Sequence, residues 1–262
     1  MKKIIDHKKR REIEILLDEI LERLRSNLGE KLVGLYLYGS LVAGDFDYEV
    51  SDIDLLAATE TIINDQEFAA LEKMYAELSK KFPRWDNRIE TAYVSLDALR
   101  TFKTKLTRIA NTSPGEPLHF LDAGRDWLLN WYFVRESGVI LFGPPPGKIV
   151  PEISQREFIE AVREQAQERA ANVDKSKNSR PYQAYLIMTM CRALYAVRNG
   201  EQVSKKRAAE WTKKKFPEFA ALIENAFEWR ARNREKVADP GATFEETKRF
   251  VLFIAEMILN DG

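Results

Sequence analysis

The chain has a single cysteine, Cys191, two histidines, His7 and His119, and no apolar run longer than the six residues 250–255. One cysteine rules out an internal disulfide and any multi-cysteine metal centre. Two isolated histidines offer no histidine cluster to assign to a metal. Six apolar residues fall far short of the roughly 20 that cross a bilayer. The opening stretch, MKKIIDHKKRREIEILLDEI, carries carboxylates every few residues where a signal peptide needs an apolar segment. A cytoplasmic protein is expected. Net charge is missing too: 41 Lys+Arg meet 41 Asp+Glu. That balance disfavours a basic nucleic-acid coat, so neither a nucleic-acid nor a membrane partner is expected.

What is present is charge segregation. Residues 32–72 contain no Lys or Arg but nine carboxylates. Residues 171–215 hold eleven Lys/Arg against three Asp/Glu. Up to residue 150 the chain carries 21 basic and 24 acidic residues; after it, 20 and 17. Charge asymmetry between halves is informative even when the sum is zero. A length of 262 residues suits one large or two ordinary domains, and 45% hydrophobic content is enough for a core.

Hydrophobic spacing predicts a helix over 9–28, a buried strand over 32–38 ending at Gly39, a strand over 51–58, a helix over 65–81 and a third strand over 88–94. Strands separated by helices predict an α/β sheet with some parallel character. Residues 101–124 are poorly patterned, and 111–117 read as a loop. A helix over 126–136, with Trp127, Trp131, Tyr132 and Phe133 as core or interface aromatics, precedes Gly143-Pro-Pro-Pro-Gly147, where a domain junction is expected because proline neither continues a helix nor donates to a ladder. Beyond it only helical patterns occur: 154–171, 181–198, 204–215, 218–233 and 243–259. Ser154/Glu157 and Thr243/Glu246 have the form of capping boxes. The expected architecture is a small mixed sheet with helices over 1–147, followed by an all-α bundle over 148–262.

Chemistry is concentrated at Gly39-Ser40, eleven further residues, then Asp52-Ile-Asp54 opening an apolar strand. Asp52 and Asp54 are two apart on a strand and so share a face. Their oxygens are hard ligands suited to Mg²⁺, and without a cation paired carboxylates repel. Glycine permits close backbone approach to a phosphate, and a serine hydroxyl with helix-start amides can bind it. A phosphate cradle beside a metal pair is what nucleotidyl transfer requires.

These residues resemble the nucleotidyltransferase superfamily signature. More narrowly, LYLYGSLVAGDFDYEVSDIDLL, ESGVILFGP (136–144) and LIMTMCRALYAVRNGEQVSKKRAAEW (186–211) resemble the aminoglycoside 3''/9-adenylyltransferases. The resemblance implies ATP as substrate and Mg²⁺ as cofactor. It implies metal ligation by Asp52 and Asp54, a catalytic base at Glu90 within RIETAYVSL, and nucleotide binding by Gly39, Ser40, Ser51, Arg192, Lys205 and Trp229. The nucleotide and a small-molecule hydroxyl acceptor are expected in an interdomain cleft. Two departures bear on the acceptor. The family's drug site has a tryptophan where this chain has Gly115-Glu-Pro117. Its acids before the helix of Arg192 give way to Val173-Asp-Lys-Ser-Lys-Asn-Ser-Arg180, one acid against three bases. The expected function is transfer of AMP from ATP to a small-molecule hydroxyl, with an aminoglycoside-like antibiotic as the implied class. The alternatives are an antitoxin-like, protein-adenylylating enzyme or a nucleotide-binding module. Cys191 reads as core filler, and Lys213–Lys215 as a helix-end charge cluster.

Overall fold

The computed structural model describes residues 6–231 and 239–260. They form two compact units, Met1–Ile153 and Ser154–Gly262. Expectations for residues 232 and 233, at the end of the predicted 218–233 helix, lie outside the described residues.

In the first unit α1 (His7–Leu28) begins where the Asp6 side chain accepts from Lys9 N, and buries Ile13, Leu16, Leu17, Ile20, Leu24 and Leu28 along one stripe. Each such aliphatic side chain, once buried, contributes about 1.5–3 kcal/mol of transfer free energy. β1 (Leu32–Tyr38), β2 (Ile53–Thr59) and β3 (Ile89–Ser95) are central strands of seven residues. Between β1 and β2 lies a one-turn helix, α2 (Gly39–Ala43). Between β2 and β3 runs α3 (Asp65–Lys81), opened by a capping box of Asn64 and Glu67. α4 (Leu96–Thr101) follows β3, then β4 (Thr107–Ser113), β5 (Glu116–Ala123), α5 (Leu128–Ser137) and β6 (Val139–Phe142). The strand order is β5-β4-β3-β2-β1-β6. β2 and β3 run parallel, joined by the α3 crossover; the other described pairings are antiparallel.

The β4–β5 hairpin replaces the loop expected at 111–117. Pro114 and Gly115 fill the central turn positions, with Gly115 at φ +87°, the left-handed value that the second central residue of a type II turn needs. Pro117 is tolerated because β5 is an edge strand. The turn is thus two residues long where composition suggested seven.

Leu35, Leu37, Ile53, Leu55, Ala57, Ile89 and Tyr93 all enter the core beneath α1 and α3. Strand alternation therefore directs Tyr36, Tyr38, Asp54, Leu56, Glu90 and Ala92 to the opposite face. Tyr36 donates its hydroxyl to Pro144 O at 2.8 Å, tying β1 to the proline-rich segment.

The second unit contains α6 (Gln155–Ala171), α7 (Arg180–Asn199), α8 (Lys205–Lys215), α9 (Ala220–Ala231) and α10 (Gly241–Asn260). Ser154 and Glu157 form the expected capping box. Thr243 does not cap: α10 starts two residues earlier, where Gly241 N donates to the Asp239 side chain at 2.8 Å. Thr243 instead donates its hydroxyl to Gln183 Oε1 at 2.7 Å. Gln183, fully buried on α7, also accepts from Thr247 and donates to the carbonyls of Ser176, Lys177 and Pro240. Cys191 lies in the bundle core, where burial pushes its thiol up to about 12. Among the described residues no helix is long and apolar enough to cross a membrane.

Candidate active site

The end of β1 and the beginnings of β2 and β3 meet on the face opposite α1 and α3. Tyr38 is the register partner of Asp54, and Asp54 of Glu90. Asp52, Asp54 and Glu90, each half-buried, offer carboxylate oxygens that all lie within 4.8 Å of one another. Among the described residues this is the one cluster of three potential metal ligands. Three like charges at such spacing are costly unless a cation or proton intervenes. An all-oxygen donor set matches a hard divalent cation. The field of the cluster is felt nearby. Tyr38 is raised well above the usual phenol value, by burial first and then by Glu90, Asp54 and Asp52.

Gly39 turns the chain from β1 into α2 at φ +72°. A Cβ at this position would lie 1.9 Å from Asp54 Oδ2. Glycine is therefore required twice, by the backbone conformation and by the carboxylate against it. Ser40 follows as the second residue of α2, and its Oγ is buried with no hydrogen-bond partner. An orphaned hydroxyl beside a carboxylate cluster fits a site made to receive a phosphate oxygen.

Ser51 is placed differently. It is fully buried, its Oγ accepts from Asp47 N at 3.0 Å, and its own N–H donates to Asp47 O at 2.8 Å. Its side chain closes the turn that delivers Asp52. That turn is anchored by Phe46 and Tyr48, which pack on Trp85, and by Glu12, which accepts from the Tyr48 hydroxyl at 2.5 Å and from the Trp85 indole at 3.2 Å. Sequence reasoning missed Arg88 here. Buried at the start of β3, it donates from Nε to Ser51 O at 3.0 Å and from Nη2 to Tyr48 O at 2.9 Å, with a further Nη2 bond to Ser51 O. The sequence offered only a basic residue two positions before Glu90, at the head of the strand expected over 88–94.

The remaining expected residues belong to the second unit. Arg192 is half-buried on α7, and Lys205 is the first residue of α8, behind the N-cap Ser204. Trp229, on α9, packs at the edge of the bundle core with the Arg180 guanidinium 5.2 Å from its ring centre. Arg180 also donates to Asp239 O at 2.6 Å, and Lys248 pairs with Asp174 at 2.7 Å. Part of the basic 173–180 segment therefore serves the helical unit itself.

A strand running into Gly39-Ser40 and a short helix, facing Asp52 and Asp54 at the start of the next strand and Glu90 on the third, is the arrangement expected from the resemblance to nucleotidyltransferases. Residues 148–256 match the family described as aminoglycoside adenylyltransferase, C-terminal domain. The fold of the whole chain is similar to that of the spectinomycin adenyltransferase AAD(9) from Enterococcus faecialis, solved with ATP and spectinomycin. That likeness has a TM-score of 0.71 at 18% identity, covering 91% of this chain and 98% of that one. A toxin–antitoxin structure with AMP-PNP aligns over 61% of this chain and 96% of its own, at 18% identity and a TM-score of 0.31, too low to carry an argument. No curated protein matches the chain in sequence.

Proposed function

We propose that this chain transfers AMP from ATP to a hydroxyl of a small, aminoglycoside-like antibiotic, with a divalent cation such as Mg²⁺ held by Asp52 and Asp54. The carrying observation is the convergence of Asp52, Asp54 and Glu90 within 4.8 Å of one another. When bound, the cation would neutralise charge on the triphosphate and orient it. Ser40 Oγ donates to a phosphate oxygen, for which its unpaired state leaves it ready. Glu90 accepts the proton of the acceptor hydroxyl. That oxygen bonds to the α-phosphorus while the bond from the α-phosphorus to the bridging oxygen breaks, releasing pyrophosphate. Arg192 and Lys205 are proposed to bind the phosphates, and Trp229 to rest against the nucleotide. The family match over 148–256 supports these roles.

The test has two stages. ATP with Mg²⁺ should raise the melting temperature, since a ligand of the folded state alone stabilises it. Incubation with a panel including spectinomycin and streptomycin should then yield an acceptor heavier by one AMP in mass spectrometry. No nucleotide-dependent shift and no adenylylated product with any panel member would overturn the proposal.

A further inference from the structure

We infer that Arg88 is a positioning residue that holds Asp52 in the carboxylate cluster; the inference rests on the reading of that cluster as a cation site. The three carboxylates are not held alike. Asp54 and Glu90 lie inside β2 and β3 and face each other as register partners, so the hydrogen-bonded ladder fixes them. Asp52 precedes β2, which starts at Ile53. No rung of the sheet sets its position.

Arg88 supplies what the ladder does not. Its guanidinium takes the carbonyl of Ser51, the residue before Asp52, and that of Tyr48, and its own carbonyl accepts from Ile53 N, the residue after Asp52, at 2.9 Å. Asp52 is thereby bracketed on both sides by one residue, itself two positions before Glu90. The planar guanidinium can hold two carbonyls at fixed angles, which a lysine ammonium cannot do. It also lies 4.7 Å from the Trp85 ring centre, so its stem and plane are fixed by packing. Repulsion within the cluster pushes Asp52 outward, and Arg88 is the buried group placed to resist that push. Groups of this kind, which orient a ligand without touching the metal, are commonly worth about 10–100-fold in metal affinity.

The test uses the full chain and Mn²⁺ as spectroscopic probe. Arg88→Met should weaken Mn²⁺ binding by about 10–100-fold, and Arg88→Lys should restore only part of the loss. Because Arg88 acts through Asp52, the losses from Arg88→Met and Asp52→Asn should not add in a double-mutant cycle, whereas those from Arg88→Met and Asp54→Asn should come closer to adding. Hydrogen exchange provides a readout independent of metal: Arg88→Met should lose amide protection at residues 51–53 and keep it within β2 and β3. A lower melting temperature with unchanged exchange at 51–53 would overturn the inference, as would additive losses with Asp52→Asn. Absence of Mn²⁺ binding by the unmodified protein would instead overturn the cation site, and the exchange measurement would still decide whether Arg88 holds Asp52.

Discussion

The molecule contains two buried polar centres built on opposite principles. Gln183, in the helical unit, spends its amide on three carbonyls and two hydroxyls, so burial costs it little. The centre at the end of β1 gathers three like-charged carboxylates and leaves Ser40 Oγ without a partner. The first arrangement lowers the energy of the chain in isolation. The second brings like charges together, and in the proposed function a cation and a phosphate would complete it. Polar groups that satisfy one another hold a fold together, while those that do not are where function is sought.

Substitutions should separate the two kinds. Asp54→Asn should lower turnover most, by about a thousandfold, since metal-assisted charge stabilisation is worth several kcal/mol. Its melting temperature should stay level or rise as repulsion in the cluster is relieved; a large drop would mean that the cluster is structural after all. Glu90→Gln should cost less, about a hundredfold in rate, the lower end of what a general base contributes, with nucleotide affinity retained by calorimetry. Gln183→Leu should behave in reverse. It should leave the transfer rate of the folded enzyme unchanged and cost about 3 kcal/mol in urea unfolding, as buried carbonyls and hydroxyls lose their partner.

A further effect is expected in alkali. Burial raises the phenols of Tyr36, Tyr48 and Tyr75 to about 12, with Glu12 adding at Tyr48. Unfolded phenols release their protons from about pH 10, while the folded ones keep theirs until about pH 12. The unfolded state then binds fewer protons, so the first unit should lose stability as pH rises through that window and none of it below. In the second unit the Cys191 thiol should begin the same loss about one pH unit lower. Denaturant midpoints followed across pH 8–12 would check both.

Much of this was legible in the sequence where local pattern and tertiary role agree. β1 and α3 coincide with their apolar runs and caps, and Asp52, Asp54 and Glu90 come together as expected. The hairpin of β4 and β5 was not legible. Ser113-Pro-Gly-Glu116 reads as the heart of a long loop, and only the pairing of β4 with β5, with Ser113 opposite Glu116, shows how little of it turns. Thr243 was misread because Ser/Thr followed by Glu three positions later can equally well lie inside a helix, where Thr243 turns to Gln183. Arg88 escaped because a lone arginine at a strand start carries no pattern, and its meaning comes from carbonyls some forty residues earlier in the chain. Ser51, expected to touch nucleotide, also holds the turn before Asp52, a second role that composition does not reveal.

The 1.9 Å between an imagined Cβ at Gly39 and Asp54 Oδ2 also constrains how this chain can vary over generations. Any larger residue at position 39 needs room that the carboxylate occupies, and Asp54 gives that room only by leaving the site. Neither position can change first without passing through a defective intermediate. The glycine after β1 and the aspartate on β2, fifteen positions apart in the sequence, are in effect inherited as one character.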